Sequence, residues 1–285
     1  MPTIPLELLD CTIYVYRDGD AAEKGEEAGG SGFLVAVPLT GYRAATFYAV
    51  TNSHVVAGGF TTIRLNEMAG GHATIELTAD DWIRHPEGDD VVIADVNLSA
   101  DFRFKAVSTE QFVDGFDPTY FNVGQEVVMV GRYVNHEGRQ RNLPTARFGH
   151  VAQLPHERVR TSWGIEQDAF LVDMRSLAGY SGSPVFVYRG RPDLDEDPER
   201  WVKSVEFRFL GVDFGHLPSF VRVLDASRRN AVDPPMWAEQ NSGVAAVIPA
   251  WRLMQLIDEE GVAAKRAQDE DSWITQHGND PDMKL

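Results

Sequence analysis

The feature that most constrains how this chain can fold is its punctuation. Short apolar runs, rich in β-branched and aromatic residues, follow one another and are each ended by Gly, Pro, Asn or Asp. Residues 11–16, 31–37, 44–50, 61–65, 73–77 and 91–94 read this way, and so do 124–131, 146–153, 170–174, 185–187, 207–212 and 243–249. Helical spacing shows once, where Trp251, Leu253, Met254, Leu256 and Ile257 recur on one face. Strands do not alternate with long helices, which disfavours a parallel α/β sheet, and no internal repeat shows. The expectation is an all-β chain with a C-terminal helix. Regularity lapses between residues 106 and 122, with Gly115 and Pro118 as breakers. That lapse divides the chain into 1–115, 116–257 and an end, 258–285, expected to fray from Asp269. The acidic, glycine-rich stretch 18–30 is expected to be a loop, 188–201 an exposed hairpin or loop, and 216–242 a polar, proline-broken insertion.

With 285 residues, 43% of them hydrophobic, the chain can bury a large core. A net charge of −17 argues against a nucleic-acid backbone or an anionic membrane as partner. The single cysteine, Cys11, excludes an internal disulfide and a multi-cysteine metal site, and is expected to serve as a small buried hydrophobe. The histidines outside the motif below show no ligand spacing, and Gly29-Gly30-Ser31-Gly32 lacks the lysine of a phosphate loop, so no metal or cofactor is expected. There is no basic segment followed by an apolar stretch at Met1-Pro2-Thr3-Ile4-Pro5, and no apolar run long enough to span a bilayer. Cytoplasmic residence is the expectation.

Chemistry concentrates at Gly179-Tyr180-Ser181-Gly182-Ser183-Pro184, a glycine-flanked serine between two apolar runs. Such a bend can expose a hydroxyl and turn backbone N–H groups toward a developing negative charge. A hydroxyl nucleophile needs a base within hydrogen-bond reach, and the base needs a carboxylate to orient it. His54 and Asp90 precede Ser181 at strand edges, in the order His, Asp, Ser. Asp89 competes with Asp90 for the acid's place, and Asp90 is preferred because it abuts the apolar run 91–94.

On these motifs the chain resembles the chymotrypsin-like serine peptidases, especially the bacterial trypsin-like and HtrA-type branch. Thr51-Asn52-Ser53-His54-Val55-Val56 is similar to the family's histidine motif, and Asp90-Val91-Val92-Ile93-Ala94 to its aspartate and following strand. The serine bend resembles the family's Gly-Asp-Ser-Gly-Gly-Pro. Supporting matches are Gly30-Ser31-Gly32-Phe33-Leu34, residues 124–131, Leu210-Gly211-Val212 and Ala246-Val247-Ile248-Pro249.

The resemblance implies two six-stranded antiparallel barrels, the first carrying His54 and Asp90 and the second Ser181. It implies peptide-bond hydrolysis of a protein or peptide substrate, with the N–H groups of Gly179 and Ser181 as oxyanion hole. By position relative to Ser181, Arg175 would lie at the base of the primary side-chain pocket, with Phe214, Gly215 and His216 along a wall; the alternative is that Arg175 points elsewhere or pairs with Asp173. Tyr180 and Ser183 depart from the family motif. Tyr180 removes the acceptor for a newly cut N-terminus, so constitutive assembly, or control by another device such as a regulatory partner, is expected. Two other readings stand beside this one: a silent pseudo-peptidase serving as a peptide-binding scaffold, and an esterase on another fold. The esterase would need an acid and a histidine after Ser181, and only pairs such as Asp213 with His216 are available.

Overall fold

The computed structural model describes residues 3–115, 122–134, 136, 138–160, 165–189, 206–224, 234–278 and 280–285. In the first half, β1 (Thr12–Tyr16), β2 (Ala28–Pro38), β3 (Ala45–Thr51), β4 (Thr62–Glu67), β5 (His72–Ile75), β6 (Ile83–Arg84), β7 (Val92–Asp95), β8 (Phe102–Arg103) and β9 (Val107–Ser108) share one nine-stranded sheet. Its path runs β5-β4-β1-β2-β3-β7-β6, with β8 beside β4 and β9 parallel to β2. The ladder ends at β5 and β6 without closing, contrary to the expected first barrel. Strand β6 is two residues long, too short to carry the pairing round to β5.

The second half holds β10 (Glu126–Gly131), β11 (Thr145–Gln153), β12 (Val159–Arg160), β13 (Glu166–Gln167), β14 (Phe170–Asp173), β15 (Pro184–Arg189), β16 (Glu206–Arg222) and β17 (Trp237–Pro249). Six of these close a barrel in the order β10-β11-β14-β17-β16-β15, antiparallel throughout. Val127, Val128, Met129 and Val130 of β10 are all inaccessible to solvent. A strand buried on both faces reads as a continuous apolar run rather than an alternating one. One packed cluster crosses from half to half: Phe33 and Val35 of β2 join Val128, Phe186 and Phe209.

Two of these stretches and the chain's end differ from expectation. Within 18–30, a short helix α1 (Gly19–Lys24) is capped by Asp18, whose side chain accepts from the Ala21 N–H, and it ends at Gly25 in the left-handed conformation. Within the insertion 216–242, β16 and β17 run on as a hairpin paired out to Arg222 and Trp237, while 225–233 lies outside the described residues. Most of the stretch 188–201 also lies outside them. The frayed end is instead a helix. After α2 (Ser53–Ala57) and α3 (Ala250–Ile257), α4 (Glu260–His277) buries only Val262, so its sequence carries no apolar stripe to announce it. Polar and edge contacts hold it: Lys265 pairs with Asp95, Trp273 meets Tyr42 edge-on at 5.6 Å, and the Arg43 N–H donates to the Met283 carbonyl.

Candidate active site

Strand β3 ends at Thr51, and the chain turns at the buried Asn52 into α2, whose second residue is His54. Asn52 makes no side-chain cap to its own helix. Its Nδ2 instead donates to the Asp90 carbonyl (2.7 Å), fixing the turn before β7 against the turn after β3. The Asp90 carboxylate then meets His54 twice. Its Oδ1 accepts from the His54 backbone N–H (2.8 Å), and its Oδ2 lies 2.6 Å from His54 Nδ1. The contact suits an imidazole that donates from Nδ1, the arrangement in which Nε2 of a neutral ring can accept. The Asp90 side chain is 2% exposed and that of His54 31%, which shields the pair while leaving the imidazole open to the surface.

The two adjacent aspartates are separated by their partners. Asp89 turns to the other side, where Arg252 Nε of α3 donates to its Oδ2 and Arg158 Nη2 lies 3.3 Å from its Oδ1. Arg252 also reaches Glu87 at 2.8 Å. Of the two, Asp90 is the carboxylate at His54. Its N–H is held by Gln167 Oε1 of β13 (2.8 Å), a side chain from the second half.

The serine bend lies against the same turn. The Ser31 N–H donates to the Ser181 carbonyl (2.9 Å). Gly30 fills the space between, since a Cβ there would stand 3.1 Å from that carbonyl oxygen and 2.9 Å from Val55 Cγ2. Gly182, at φ +86°, abuts Thr51 Oγ1, which a Cβ would approach to 2.5 Å. Both glycines are needed for this close approach of backbone to the His54 turn. Tyr180 is fully buried, with its hydroxyl 2.5 Å from Thr145 Oγ1 and the Arg147 guanidinium over its ring.

Hydrogen bonds consume most of the bend's donors. Tyr180 N–H donates to the Leu177 carbonyl, Gly182 N–H to that of Asp213, and Ser183 N–H to that of Tyr180. Across residues 179–183, the N–H groups with no hydrogen-bond partner among the described residues are those of Gly179 and Ser181. Unspent donors in a fixed bend are what an oxyanion would require.

Strand β16 runs beside the bend, where the Asp213 N–H donates to the Ser183 carbonyl (2.9 Å). Phe214 is buried, Gly215 sits at φ +135° next to a bulge, and His216 is half-buried with Nε2 3.8 Å from Glu239 Oε1. Arg175 is exposed, and its carbonyl accepts from Arg147 Nη1 (3.1 Å). The next residue, Ser176, is the one that turns inward, donating to Asp213 Oδ2 (2.9 Å). Burial pushes the Asp213 carboxyl up to about 8, so it is mostly protonated at neutral pH. Among the described residues no group of His, Cys, Asp and Glu is arranged to hold a metal, and no helix is long and apolar enough to cross a membrane.

Sequence reading missed Gln167, Arg158 and Arg252. The last left a trace, a cation on the buried face of an otherwise apolar helix; Gln167, in a two-residue strand, left none. No protein-family profile and no curated protein matches the chain. Among solved structures it is similar to Deg5 (18% identity, TM-score 0.46, 74% of this chain and 82% of that one). It is also similar to an inactive serine-to-alanine variant of Rv3671c from M. tuberculosis (16%, 0.46, 94% and 96%). A third is the HtrA-type protease AlgW with a decapeptide (14%, 0.46, 82% of this chain), of whose length the chain spans about half, 53%.

Proposed function

We propose that the protein is a serine endopeptidase, hydrolysing peptide bonds in protein or peptide substrates through Ser181, His54 and Asp90. The observation that carries this reading is the two-point grip of the Asp90 carboxylate on His54, at 2.8 Å to the backbone N–H and 2.6 Å to Nδ1. That grip sets the tautomer a general base requires and stabilises the imidazolium formed when the base takes a proton.

In the proposed cycle the Ser181 hydroxyl oxygen attacks the scissile carbonyl carbon while its proton passes to His54 Nε2. The carbonyl π electrons move onto oxygen, and the N–H groups of Gly179 and Ser181 stabilise that charge. Collapse breaks the C–N bond, His54 gives its proton to the leaving amine, and an acyl-Ser181 ester remains. Water, deprotonated by His54, repeats the sequence and releases the acid. Nothing in this cycle calls on a metal or cofactor. The buried Tyr180 stands where an acidic acceptor for a new N-terminus would be, so activity is predicted without N-terminal processing.

Incubation with unfolded casein followed by mass spectrometry tests the reading. New peptide termini are expected with the unmodified protein and not with Ser181→Ala. Intact casein in both would mark the protein as a silent scaffold instead.

A further inference from the structure

We infer that Ser31 is a positioning residue for the oxyanion site, a role that rests on the peptidase reading above. Ser31 lies on β2 of the first sheet, opposite Tyr14, and is inaccessible to solvent. Its backbone N–H donates to the Ser181 carbonyl (2.9 Å). Its hydroxyl donates to the Gly179 carbonyl (2.8 Å) and accepts from the Arg132 N–H (2.8 Å). Its own carbonyl accepts from Thr51 Oγ1 (2.7 Å), three residues before His54. One residue thus grips, at their carbonyls, both residues of the bend whose N–H groups have no partner among the described residues, and ties them to the strand that delivers the histidine.

The geometry gives that grip a consequence. The Ser181 N–H belongs to the peptide plane between Tyr180 and Ser181. The plane before it is fixed at one end by Ser31 Oγ on the Gly179 carbonyl and at the other by Leu177 on the Tyr180 N–H. The plane after it is fixed by the Ser31 N–H on the Ser181 carbonyl and by Asp213 on the Gly182 N–H. Gly179, at φ +93°, is a residue for which other backbone conformations cost little, so an external tether must select this one. The Ser31 hydroxyl is that tether. Oxyanion donors accelerate reaction because they are aimed before charge develops. A bend free to turn would lose that advantage while keeping Ser181, His54 and Asp90 intact.

The test compares the unmodified protein with Ser31→Ala and Ser31→Cys; cysteine keeps the approximate size but donates weakly. The probes are a fluorophosphonate, p-nitrophenyl acetate and phenylboronic acid, all of which place an oxygen of the tetrahedral or phosphoryl adduct at the oxyanion site. Acylation and labelling rates are expected to fall together by about ten- to a hundredfold in Ser31→Ala, with phenylboronate affinity falling by the same factor. Ser31→Cys is expected to lie between, and guards against an alanine variant that fails to fold. The pH midpoint of acylation is expected to stay in place, whereas general damage to the site would move it. A folded Ser31 variant with unchanged rates and boronate affinity, or one with a shifted midpoint, overturns the role of Ser31 alone. An unmodified protein that reacts with none of the probes overturns the peptidase reading and this role together.

Discussion

At the scale of single residues, the candidate site depends on how two adjacent aspartates are told apart. Asp90 serves His54 and Asp89 serves Arg252, and the sequence Asp89-Asp90 contains no mark of which does which beyond adjacency to the apolar run. Partners distant in sequence, at residues 158, 167 and 252, make the distinction, which is why it becomes visible only in the fold. Asp90→Asn keeps the shape but reverses the bond to Nδ1, forcing the other tautomer. Turnover of p-nitrophenyl acetate is expected to fall by up to about 10⁴-fold with little change in folding. Asp213 supports a second prediction. Its carboxyl ionises near the ordinary value of 3.8 in the unfolded chain and near 8 in the folded one. Between those values folding takes up a proton, so the contribution is intact at acid pH and is lost as pH rises toward 8. Urea denaturation from about pH 5 to about pH 9 should show stability declining in the unmodified protein and a flatter profile in Asp213→Asn. Equal slopes in the two would contradict the burial argument.

Elements show where sequence patterns suffice and where they do not. The run that forms β10 is legible because burial on both faces selects an unbroken apolar series, Val127 to Val130. Helix α4 and the outer hairpin of β16 and β17 are not, since each is held by backbone pairing or polar contacts that leave no hydrophobic period. Helix α3 combines both cases, with Leu253, Leu256 and Ile257 packed in the core and Arg252 beside them on Asp89. Arg252→Ala would leave the 2%-exposed Asp89 short of its nearest cation. A loss of about 3 kcal/mol is expected in chemical denaturation, with a drop in activity because Asp89 adjoins Asp90. Stability unchanged by this substitution would mean that the exposed Arg158 suffices.

For the whole molecule, the central question is whether the two halves act as one body. Phe209 of the closed barrel packs on Phe33 of the open sheet (5.1 Å) and on Phe112 (4.7 Å), inside a cluster shared by both halves. Phe209→Ala should cost about 3–5 kcal/mol and lower a single calorimetric transition; two separate transitions would contradict a shared core. The strand pattern lapses near residue 115, yet a side chain that fixes Asp90 and a backbone group that fixes Ser181 reach across that point. Such long-range pairing has no sequence period to betray it. If this crossing assembles a working nucleophile, fluorophosphonate labelling followed by intact-mass analysis will register it directly. One adduct is expected on the unmodified protein, carried by Ser181, and none on Ser181→Ala or His54→Ala. An unlabelled native protein, or a label that persists in Ser181→Ala, would contradict it.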